Sequence, residues 1–276
     1  MNHAKFLKIT LPLAVILAAV ALFLPVKTAD IYHSVMELAA LFGGALLALR
    51  ISFLYRKQLR TAFACFSAFL FIYGVFVLAF PFISKVMSSN SSLLLIVAVQ
   101  TVDYVLLTLF CVNLLGAMRL GDLNKNAWIT LGVTAAVCYF LALFPPMYDG
   151  IIDSSFNIII YMAIRVIDAT LVVALVPVIW LYISYLKSQQ RQSLTFTVII
   201  TGIICATLLD YLFETIARLL LPSLTGGWYT VIPYALFIFS FFVILAGLYA
   251  HLKDEQWGFA AIDKAMADGL EMFGEE

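Results

Sequence analysis

Charge is scarce in this chain. Lys, Arg, Asp and Glu together supply 12% of its 276 residues, where soluble domains run near about a quarter. That excludes an ordinary water-soluble domain. The 16 basic side chains are matched by 16 acidic ones, so no net positive field is present to draw a nucleic acid. Histidine is rarer still, with 3 in the whole chain, and His33 and His251 fall near opposite ends of the expected topology. A pair that could bridge a haem is therefore missing. The cysteines Cys65, Cys111, Cys138 and Cys205 all lie inside apolar runs without CxxC spacing. That argues against a disulfide framework or a zinc site and leaves them as small packing residues. HExxH, GxSxG and Walker patterns are absent, and the last two apolar runs lack the buried lysine that a retinal would need. No cofactor and no metal are expected.

What remains is apolar. Hydrophobic residues make up 64% of the chain, and the mean hydropathy is +1.06. A spanning helix with its turn takes roughly 25–35 residues, so the length accommodates about eight spans and little else. The runs are Leu7–Leu24, Ser34–Tyr55, Thr61–Phe82, Ser92–Gly116, Trp128–Phe144, Phe156–Tyr185, Leu194–Leu221 and Ile232–Leu252. Helices are expected, because only helices and closed barrels satisfy every backbone group in lipid. The expected fold is an all-α integral membrane protein of eight transmembrane helices occupying residues 1–252. Pro25, Pro81, Pro145-Pro146 and Pro222 punctuate span ends, where a missing donor costs little. Pro177 lies inside the sixth span and is expected to kink it. Lys27 stands three residues before the one plausible cleavage point, so the first run reads as a true span rather than a signal peptide.

Orientation follows from lysine and arginine. With the N-terminus inside, the inner loops collect Lys5, Lys8, Arg50, Arg56, Lys57, Arg60, Arg119, Lys125, Lys187, Arg191, Lys253 and Lys264, and the outer side only Lys27 and Lys85. Both termini are thus expected in the cytoplasm, with the protein in the plasma (inner) membrane. The segment 253–276 places Trp257, Ala261, Ala265 and Phe273 at helical spacing, opposite Asp263, Asp268, Glu271 and Glu275. It reads as a short amphipathic helix that is acidic, and anionic lipid would attract a basic one. Beyond the bilayer itself, a protein partner or a second copy of the chain is the expected surface for this tail and the inner loops.

Ionisable residues inside the spans carry the functional signal. Glu37, Asp103, Arg165, Asp168, Asp210 and Glu214 interrupt apolar runs, and a charge at mid-bilayer costs about 2.5–3.5 kcal/mol even on the lenient insertion scale. In the assigned topology they fall in the outer half of the membrane, with His33 one turn above Glu37, Gln100 beside Asp103 and Tyr161 above Arg165. The expectation is an outward-opening polar pocket lined by the second, fourth, sixth and seventh spans. The competing explanation is structural: Arg165 with Asp168, and Glu214 with Arg218, sit at spacings that let each pair neutralise itself.

The segment Tyr32-His33-Ser34-Val35-Met36-Glu37-Leu38, with Tyr55-Arg56 closing the same span, resembles the aromatic-His-x-x-x-Glu opening of membrane-associated sensor domains of the MASE type. The resemblance implies that His33 and Glu37 line a sensing site and that output passes to a separate protein. The chain departs from that pattern in lacking an Asp-x-x-His after the third span. The reading from sequence is a membrane sensor or binding module. Its pocket, formed by His33, Glu37, Gln100, Asp103, Tyr161, Arg165, Asp168, Asp210 and Glu214, would take a small polar or lipid-headgroup ligand. One alternative is an intramembrane enzyme acting on a lipid, similar to a lysoplasmalogenase, with Asp103 and Asp210 as its acid and base. A transporter or a structural subunit of a membrane complex is the other.

Overall fold

The structure, a computed structural model, describes residues 3–117, 124–143, 155–187, 198–207 and 232–253. All elements among the described residues are helices: α1 (His3–Phe23), α2 (Val26–Leu54), α3 (Lys57–Ile83), α4 (Ser89–Ala117), α5 (Lys125–Leu143) and α6 (Ser155–Lys187), then α7 (Val198–Thr207) and α8 (Ile232–Lys253). Six of these, α2 to α6 and α8, carry stretches long and apolar enough to cross a membrane, while the apolar stretches Lys8–Phe23 and Val198–Thr207 are shorter. The chain is a multi-pass, all-α membrane protein. The second half of the expected seventh span and the acidic tail lie outside the described residues.

Local sequence sets the helix starts. Pro25 precedes α2 in an extended conformation, and its carbonyl accepts the Ala29 N–H at 2.8 Å. The Ser88 hydroxyl accepts the Ser91 N–H at 3.3 Å at the start of α4, and Asn124 Oδ1 accepts the Ala127 N–H at 2.9 Å at the start of α5. The Ser88 and Asn124 side chains each take up a donor that the first turn would otherwise leave unpaired. Between α2 and α3 the chain reverses through Tyr55 and Arg56 alone, and Lys57 adopts a φ of 51°, a left-handed conformation that a β-branched residue would not tolerate.

Two surfaces follow from the apolar pattern. On α1, Ile9, Leu13, Ile16, Val20 and Phe23 recur at helical spacing and stay exposed, as do Trp128, Ile129, Val133, Val137 and Phe140 on α5. Such stripes on the outside of a helical bundle suit lipid and would be a liability in water. The inner faces of α2, α3, α4, α6, α7 and α8 build the main core around Leu41, Phe63, Phe66, Leu70, Phe110 and Leu248. A smaller cluster seats α1 against α2 and α8 through Ala18, Ala21, Ala29 and Ile238, and another seats α5 on α6 through Cys138, Ala142 and Ala169.

Small residues bring the helices close. A Cβ on Gly44 would stand 3.1 Å from Leu70 of α3, and one on Gly43 would stand 3.2 Å from Leu245 of α8. Across the same face the Ser67 hydroxyl donates to the Ala45 carbonyl at 2.8 Å, a type of cross-helix bond that lipid cannot replace. The α2–α3–α8 contact holds the residues of the site in register.

Candidate functional site

Glu37 of α2, Tyr73 of α3 and Asp103 of α4 are the polar residues about which the site is built. Glu37 is eleven residues into α2, which begins at Val26, Tyr73 is ten residues back from the end of α3 at Ile83, and Asp103 is fourteen residues into α4, which begins at Ser89. At 1.5 Å per residue Glu37 and Tyr73 lie about 15–17 Å from those ends, and Asp103 about 21 Å from the start of α4. The Tyr73 hydroxyl donates to the Glu37 carboxyl, tying α3 to α2.

Beside Tyr73 opens a cavity of about 110 Å³. It is bounded by Phe69 and Tyr73 of α3, Gln100, Asp103, Tyr104 and Leu107 of α4, Ile203, Ala206 and Thr207 of α7, and Phe237, Phe241 and Ile244 of α8. Helical periodicity explains the α4 contribution, since Gln100, Asp103, Tyr104 and Leu107 recur at three- and four-residue steps and so share one face. Asp103 is 3% exposed, and neither of its carboxyl oxygens has a hydrogen-bond partner; Gln100 Oε1 is likewise buried and unpartnered. Buried polar side chains are nearly always paired in folded proteins, and an unpaired one costs about 1–3 kcal/mol or more. The cavity therefore concentrates acceptor capacity that the protein itself leaves unused.

A file of polar and aromatic groups joins this site to the bundle's end. Asp30, exposed on the first turns of α2, bonds the Tyr234 hydroxyl of α8. The Tyr234 ring stacks on His33 at 4.6 Å between centroids, and Phe237 meets His33 edge-on at 6.4 Å. His33 Nε2 lies 3.7 Å from the Glu37 carboxylate, a close approach that is too long for a hydrogen bond, and it has no other partner. From Phe237 the aromatic contacts continue through Phe241, 6.4 Å away, to Tyr73 at a further 6.1 Å and to Phe69 at another 6.3 Å.

The residues singled out from sequence thus separate into groups. Gln100 and Asp103 line the cavity, and His33 and Glu37 adjoin it through Phe237 and Tyr73. Arg165 and Asp168 are buried on α6, where Arg165 donates to Asp168 Oδ2 at 2.8 Å; neither borders the cavity among the described residues. The side chain of Tyr161 and all of Asp210 and Glu214 lie outside the described residues. The cavity is bounded by α3, α4, α7 and α8, whereas the sequence pointed to the second, fourth, sixth and seventh spans. The third and eighth spans carry no charge beside the cavity, so a search guided by ionisable residues passed over Tyr73, Tyr234, Phe237 and Phe241. A tyrosine in mid-span was the available signal for Tyr73. No sequence signal distinguishes Phe237 from phenylalanines that face lipid.

A second cluster occupies the other end of the bundle. His251 of α8 is fully buried, its ring lying 5.4 Å from Phe63 and 5.8 Å from Tyr55 between centroids. No protein-family model, curated protein or solved structure matches the chain.

Proposed function

We propose that this protein is a membrane sensor or binding module, an eight-span bundle with both termini in the cytoplasm of a cell's plasma (inner) membrane. A small polar ligand or lipid headgroup enters from the outer side and is held at Asp103, Gln100, Tyr73 and Glu37. The single observation that carries this reading is the Asp103 carboxyl, buried in a cavity with both oxygens unpartnered. A carboxyl retained only for packing would be bonded to a neighbour, because leaving it bare costs stability and gains nothing. A ligand that supplies donors offsets that cost when it binds. His33 and Glu37 stand between the cavity and the exposed Asp30, which fits the sensing role implied by the MASE-type resemblance. Output passes to a separate protein through the inner loops and the segment 253–276. Arg165 and Asp168 neutralise each other on α6 and serve the bundle's structure.

Native mass spectrometry of gently purified protein tests this reading. A molecule bound in stoichiometric amount to the wild type and missing from Asp103→Asn is the expected result. A substrate and product lipid pair instead would assign the site to an enzyme, and identical spectra from the two proteins would remove Asp103 from the site.

A further inference from the structure

We infer that the ligand is a small organic cation, an ammonium group carried on a short apolar stem. This rests on the binding role assigned above to the same cavity and names the chemistry that it selects. The described lining contains one carboxyl, Asp103, and no lysine, arginine or histidine. The unpartnered atoms facing the problem are all acceptors: both Asp103 oxygens and Gln100 Oε1. Only a guest rich in donors satisfies them, and a carboxylate prefers that guest to be charged. An anion would meet Asp103 with no cation among the described lining residues to offset it. A neutral apolar guest would leave all three atoms bare.

The walls decide between an organic and an inorganic cation. Phe69, Tyr73, Phe241 and Phe237 form a continuous run of rings along one side. Aromatic faces attract cations and accept apolar stems equally well. A metal ion needs a shell of oxygen, nitrogen or sulfur ligands, and no cluster of three His, Cys, Asp or Glu side chains occurs among the described residues. The volume of about 110 Å³ falls below the roughly 150 Å³ of a cavity that takes benzene, so the stem is short.

Two sources share this chemistry: a free amine, and the ethanolamine headgroup of a lipid. Isothermal titration into detergent-solubilised, lipid-stripped protein with n-propylamine, n-propanol and propionate as probes tests the inference. The amine is expected to bind at least about ten-fold more tightly than the alcohol or the acid, as a charge-assisted hydrogen bond requires. Asp103→Asn removes that preference, bringing the amine's affinity down to that of the alcohol. Gln100→Leu, which keeps the carboxyl, weakens the amine by several-fold and provides a second reading should the first variant fail to fold. Repeating the titration in phosphatidylglycerol nanodiscs with and without phosphatidylethanolamine separates the sources: competition assigns the headgroup, and its absence assigns the free amine. Equal affinity for the three probes, or amine binding indifferent to both substitutions, overturns the inference. A neutral or anionic molecule that co-purifies with the wild type and is lost from Asp103→Asn would overturn the cation and leave the binding role standing.

Discussion

The Tyr55 hydroxyl lies 2.8 Å from Nε2 of His251, joining the end of α2 to the end of α8 across 196 residues of chain. Phe63 stacks on both rings, at 5.6 Å from Tyr55 and 5.4 Å from His251. Tyr55 follows Glu37 by eighteen positions, or about 27 Å along the helix axis. The bundle therefore carries a polar layer near each end. Between them lies an apolar middle that includes Phe66 and Phe110, stacked at 4.8 Å.

The Tyr55–His251 contact is expected to contribute as a buried neutral hydrogen bond. Tyr55→Phe keeps the ring stack and should lower stability by about 1 kcal/mol, seen as a small drop in the thermal unfolding midpoint in detergent. Binding at the Asp103 cavity should be unaffected. An unchanged midpoint would mean that the contact contributes nothing.

The α7–α8 crossing depends on two glycines. A Cβ on Gly202 would fall 2.6 Å from Ile244 Cγ1 and 2.9 Å from the Ser240 carbonyl oxygen, and one on Gly247 would fall 3.0 Å from the Ile199 backbone nitrogen. Backbone cannot step aside as a side-chain tip can. Gly202→Ala or Gly247→Ala should each cost about 1–3 kcal/mol, the usual range for overpacking. Gly132 on α5 has open space where its Cβ would go, so Gly132→Ala should leave stability unchanged or raise it by about 0.5–1 kcal/mol. Comparable losses at all three positions would mean that helix proximity is not the cause.

Arg165 and Asp168 form a buried ion pair within one helix. Removing one member breaks that pair, and such losses run to about 3–5 kcal/mol, whereas replacing both members by apolar residues is far milder. Arg165→Met is accordingly expected to reduce folded yield severely, and Arg165→Met with Asp168→Leu to restore much of it. A double variant as impaired as the sum of the singles would show that the two residues act independently.

Much of the architecture was legible in the sequence because lipid imposes a simple rule. Long apolar runs must be helices, and the helices α2, α3, α4, α5, α6 and α8 lie where those runs predict. The candidate site was legible only where charge betrayed it. Asp103 and Gln100 stood out because a polar group inside an apolar run is costly. Tyr73, Tyr234 and the phenylalanine wall did not, since aromatic residues suit lipid and cavity alike. Arg165 and Asp168 stood out for the same reason as Asp103, and there Arg165 donates to Asp168 Oδ2 at 2.8 Å. Spacing along the chain could not tell a carboxyl that accepts from an arginine from one whose oxygens have no hydrogen-bond partner.

Asp103 itself separates a binding residue from a structural one through stability alone. With both carboxyl oxygens buried and unpartnered, it burdens the empty protein. The decisive measurement is the unfolding midpoint of ligand-free, lipid-stripped Asp103→Asn and Asp103→Leu against the wild type. Residues kept for function commonly cost stability, so the account predicts midpoints equal to or above that of the wild type, with a gain of up to about 1–3 kcal/mol for Asp103→Leu. A clear fall in both variants would contradict it, because Asp103 would then be holding the bundle together.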